Sequence, residues 1–95
     1  MINRIEENEQ RLDNLIKCIK DMDMALTKLK AMKKDINILK RYYGSKNWFK
    51  DRDNYEKDKL TIKAFVLSED GVWNTLDDLD TLIKEMELTV KSYKK

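Results

Sequence analysis

Residues 1–43 contain neither glycine nor proline, and no proline occurs anywhere in the chain. These are the two residues that cost a helix interior most, so nothing in that stretch interrupts a helix. Apolar side chains recur there at Ile5, Leu12, Leu15, Ile19, Met22, Leu26 and Leu29, in a three–four alternation broken only at Asn8. That alternation predicts an amphipathic helix. The stripe continues through Met32, Ile36, Leu39 and Tyr43, but two successive steps of three at residues 26, 29 and 32 shift its phase. A bend there is conceivable; one continuous helix over about residues 3–43 is the expectation. Asn3 with Glu6 forms a capping-box pattern at its start. Lys40 and Arg41 suit its negative end, and Gly44 stands where a helix closes in a left-handed residue.

Ser45 is placed to cap a second, shorter helix over about residues 46–57, with Trp48, Arg52 and Tyr55 on one face and Phe49 beside them. The segment from Leu60 to Phe65 alternates weakly, as a strand would. With no second strand to pair with, it reads better as an extended connector over about residues 58–67. Ser68, followed by Glu69 and Asp70, predicts the start of a last helix over about residues 69–93. Val72, Leu76, Leu79, Ile83, Met86, Val90 and Tyr93 step by four and three along it, the seven-residue period of a coiled-coil seam. The reading is an all-α single domain, residues 1–95: an antiparallel long-helix hairpin with a short helical insert, a small helical bundle.

Charged residues make up 40% of the chain, well above the globular average, yet 41% are hydrophobic, so material for a core is present. The absence of histidine removes the commonest metal ligand and the commonest acid–base group. A lone cysteine, Cys18, allows no internal disulfide and no cysteine-rich zinc site; it is expected half-buried and inert, with a cross-link between two chains as the alternative. Ser68 beside Glu69 and Asp70 has no base to activate it, and capping explains all three. Asp51, Asp53, Glu69 and Asp70 form no calcium-loop pattern. Met22, Met24, Met32 and Met86 read as core filler. No catalytic residue, metal site or cofactor is therefore expected, and the chain is not read as an enzyme. The polar, acidic start does not resemble a signal peptide, and no apolar run approaches the length of a membrane span, so a cytoplasmic protein without a membrane partner is expected.

Residues 28–52 hold nine Lys or Arg against two Asp, with Tyr42, Tyr43, Trp48 and Phe49 among them. Such a segment could hold nucleic acid through phosphate contacts and stacking. Residues 53–83 hold eight acids against three Lys. In an antiparallel hairpin the two fields would largely cancel, which makes nucleic acid the alternative partner and not the leading one.

Two segments carry a resemblance. Residues 42–51 read YYGSKNWFKD, of the form YYxSxxWxxD, and residues 66–70 read VLSED, followed by Gly71, Val72 and Trp73. The chain resembles an uncharacterised bacterial domain-of-unknown-function family of about a hundred residues, with the first segment after a long helix and LSED before a final one. Phe65 stands where that pattern leads one to expect glycine, and a further acidic residue is expected near Tyr55. The resemblance implies the fold and no activity.

Both segments fall at one end of the hairpin, so Tyr43, Ser45, Trp48, Asp51, Ser68, Glu69 and Asp70 are expected to converge. They form either a structural corner or a patch that recognises another protein. Helix lengths suggest a second surface. The last helix is too short to cover the first beyond about residue 19. Ile5, Leu12, Leu15, Ile16 and Ile19 would be left as a self-association stripe, which a second copy packing antiparallel would bury as a homodimer. The expectation is a small protein–protein interaction module, such as an inhibitory, immunity or antitoxin-like protein.

Overall fold

The computed structural model describes residues 1–94, and the described residues form helices joined by short turns, with no strand among them. Helix α1 spans Ile2–Tyr42, α2 spans Lys46–Lys57 and α3 spans Glu69–Tyr93; a single 3₁₀ turn, Phe65–Leu67, interrupts the connector before α3. The long first helix, short insert and long last helix are the all-α architecture read from the sequence. The stretch around residues 26–32 is helical throughout. The phase shift shows itself in another way. Over its forty-one residues α1 has almost no net apolar direction, because the stripe wanders around the helix as it advances.

The start of α1 differs from the expected capping box. The helix begins at Ile2, and the Ile5 amide donates to the Met1 carbonyl at 3.1 Å. Asn3 is thus inside the first turn, where it cannot act as N-cap, and the first turn holds no acid. The other end behaves as read: Lys40 and Arg41 occupy the last turn, and Gly44 adopts φ +77°.

The chain divides into two compact units, Met1–Leu39 and Lys40–Lys95. The first is helical from Ile2 onward and has no buried residue. Ile5, Leu12, Leu15, Ile16, Ile19, Met22, Met24 and Leu26 are about half exposed, and Leu29 is the first position on the helix with intermediate burial. The open stripe thus extends past Ile19 to Leu26. The methionines are exposed and do not fill a core, and Cys18 is an exposed free thiol.

The second unit holds the core, centred on Trp48 and Val72, which are 3% and 5% exposed. Along α3 burial declines from one end. Val72 is buried, Leu76, Leu79 and Ile83 are half-buried, and Met86 and Val90 are exposed. The apolar seam of α3 is therefore covered over its first half only.

Candidate functional site

Trp48 organises the corner. It lies in the first turn of α2 because Ser45 caps that helix, its hydroxyl oxygen accepting from the Trp48 amide at 3.2 Å. The indole N–H then donates to the Val66 carbonyl at 2.9 Å, which ties α2 to the 3₁₀ turn. Tyr43 and Phe49 meet the indole edge-on, with centroids 5.2 and 4.9 Å away, and the Arg52 guanidinium lies 5.4 Å from its centre. Edge-on ring pairs and a cation over the ring face both suit the indole quadrupole.

The start of α3 is fixed in the same manner. Ser68 caps it, accepting from the Gly71 amide at 3.2 Å, with Glu69 and Asp70 in the first turn where negative charge favours the helix dipole. The Tyr43 hydroxyl donates to the Glu69 carbonyl at 3.0 Å and so fastens the end of α1 to the start of α3. The Glu69 carboxylate faces Arg52 at 4.0 Å. Phe65 lies across Gly71: a Cβ on that residue would stand 2.5 Å from the far edge of the ring. The glycine after VLSED thus admits the aromatic side chain that precedes it.

Among the seven residues read as a converging patch, Tyr43, Ser45, Trp48, Ser68 and Glu69 hold this corner together. Asp51 accepts from the Tyr42 hydroxyl at 2.7 Å, and Asp70 is an exposed first-turn acid. The patch read from the sequence omits Tyr42, Arg52 and Tyr55, whose hydroxyl donates to the Ile62 carbonyl at 3.1 Å. Tyr42 heads the YYxSxxWxxD segment, nine residues before its closing Asp51, but that spacing does not by itself pair the two. The carboxylate accepts the hydrogen bond from the Tyr42 hydroxyl, and with burial and its negative charge it pushes the phenol up from 10.0 to about 12.

Beside this pair lies an open cleft of about 450 Å³, lined among others by Tyr42, Asp51, Asn54, Tyr55, Ile62 and Lys63. Its apolar packing surface is joined by polar residues of both kinds, the acceptor Asp51 and the donors Asn54 and Lys63 among them. Among the described residues no group of three His, Cys, Asp or Glu gathers as a metal site would require. Among the described residues no helix is long and apolar enough to cross a membrane.

A family model described as a domain of unknown function, DUF4298, matches residues 5–89, and the chain belongs to that family. Comparisons with curated proteins and with solved structures give no match.

Proposed function

We propose that this DUF4298 chain is a non-catalytic protein-interaction module, of the kind an inhibitory, immunity or antitoxin-like protein uses. The Lys40–Lys95 unit is the scaffold and the first part of α1 is the binding arm. One observation carries the reading: the Met1–Leu39 unit has no fully buried residue, and up to Leu26 it displays a row of half-exposed Ile, Leu and Met along α1. A helix face of that kind costs free energy in water unless something covers it, and extended exposed apolar surface marks interfaces. The corner suits the scaffold role, because its hydroxyls and its indole N–H hold backbone groups in place.

Affinity capture with the chain as bait tests this. Leu12→Glu with Leu15→Glu should lose proteins that the wild type retains, whereas Asp70→Asn at the corner should retain them. Identical capture by wild type and the double variant would reject the arm as the binding surface.

A further inference from the structure

We infer that the occupant of the α1 stripe is a second copy of this chain, lying parallel and in register with the first. The inference rests on the binding-arm reading above and names its partner.

The exposed seam has a definite heptad phase. Ile5, Leu12, Ile19 and Leu26 share one core position, and Asn8, Leu15, Met22 and Leu29 share the other. The polar member, Asn8, decides the orientation. Within its own helix its amide donates to the Arg4 carbonyl at 2.8 Å and its Oδ1 accepts from Arg11 at 3.1 Å; in a parallel in-register pair it meets Asn8 of the other copy, and the remaining amide hydrogen of one can donate to the remaining lone pair of the other. An antiparallel pair that sets Leu12 on Leu15 would bury Asn8 against Ile19. Setting Leu15 on Ile19 would bury it against Leu26 and also bring Glu9 opposite Asp23. A longer antiparallel overlap, with Glu9 opposite Lys30, would need Leu29 and Ile36, which are already half-buried.

Charge points the same way. Flanking residues five apart meet across a parallel pair, so Arg4 of each copy faces Glu9 of the other. The next such positions pair Arg11 with Ile16 and Cys18 with Asp23, and no like charges meet. The area is adequate as well. Ile5, Leu12, Leu15, Ile16, Ile19, Met22 and Leu26 are each 47–57% exposed. Together they offer on the order of 700 Å² per copy, close to the roughly 800 Å² per partner of a standard interface.

Sedimentation equilibrium of the full chain at micromolar concentration should give twice the 11.4 kDa chain mass. The Leu12→Glu and Leu15→Glu double variant should sediment as a monomer. Orientation is read by disulfide trapping. With Cys18→Ser and Leu15→Cys, mild oxidation should link two copies nearly completely, since residue 15 faces itself only in the parallel register. A wild-type monomer would overturn the second-copy proposal, while the binding-arm reading would still stand or fall on affinity capture. A dimer that cross-links through native Cys18 and not through position 15 would overturn the parallel register.

Discussion

The Tyr42 hydroxyl donates to the Asp51 carboxylate, and that hydrogen bond, with burial and the carboxylate's charge, delays the loss of its proton. Its pKa is raised from 10.0 to about 12, so between those values the folded chain keeps a proton that the unfolded chain releases. The stabilisation is complete below pH 10 and is lost as pH rises through about 12. In a spectrophotometric titration, one of the four tyrosines should therefore ionise near pH 12, and Asp51→Ala should return it toward 10. Urea midpoints taken from pH 9 to 12 should fall more steeply for the wild type than for Tyr42→Phe; parallel curves would mean that the contact does not form in solution. Trp48 gives a second test at this scale. Trp48→Phe keeps an aromatic ring but leaves the Val66 carbonyl without its donor, at a cost of about 2–3 kcal/mol in denaturant unfolding. Ser45 and Ser68 were legible as caps because a cap is a local event, decided within three residues. The Tyr42–Asp51 and Trp48–Val66 contacts cross from one element to another, and no local pattern says which hydroxyl or carbonyl will face which neighbour.

At the scale of elements, two helix ends use the same left-handed backbone with different side chains. Gly44 follows α1 at φ +77° with open space around a would-be Cβ, so Gly44→Ala should meet only the backbone penalty, about 1 kcal/mol destabilising. Lys59 follows α2 at φ 49°, and the Leu60 amide reaches back to the Tyr55 carbonyl at 3.3 Å. That is a helix-closing turn whose usual residue is glycine. Lys59→Gly should stabilise by about 1 kcal/mol, opposite in sign to the change at Gly44, and thermal unfolding of the two variants reads both. Seven-residue spacing made the long helices legible, because periodicity and the absence of breakers act all along an element. The beginning of α1 was misread. Asn3 and Glu6 have capping-box spacing, but helical bonding reaches back two residues before Asn3, to the Met1 carbonyl, which takes up the Ile5 amide that an Asn3 cap would have bound. The Leu60–Phe65 alternation forms no strand; the segment ends in a 3₁₀ turn held by the Leu67 amide on the Ala64 carbonyl at 3.0 Å.

For the whole molecule, stability should be divided in the way the contacts are. The Lys40–Lys95 unit has the buried tryptophan, the capped helix starts and the cross-links between elements. The Met1–Leu39 unit has helical hydrogen bonds and intrahelical side-chain contacts, such as Arg11 with Asn8 at 3.1 Å, and no buried residue. A helix without tertiary cover is marginal in water, and surface pairs within it add only about 0.2–0.5 kcal/mol each. A second copy on the stripe would supply the missing burial, and mass action makes that contribution depend on concentration. Amide hydrogen exchange separates the two sources. Amides around Trp48 and Val72 should exchange at rates independent of protein concentration. Amides between about Ile5 and Leu26 should exchange rapidly when dilute and become protected by an order of magnitude or more as concentration rises through the micromolar range. Leu12→Glu with Leu15→Glu should abolish that dependence and leave protection around Trp48 unchanged. Protection of the Ile5–Leu26 amides that is strong at every concentration, in wild type and double variant alike, would show that the helix needs no second copy to hold it.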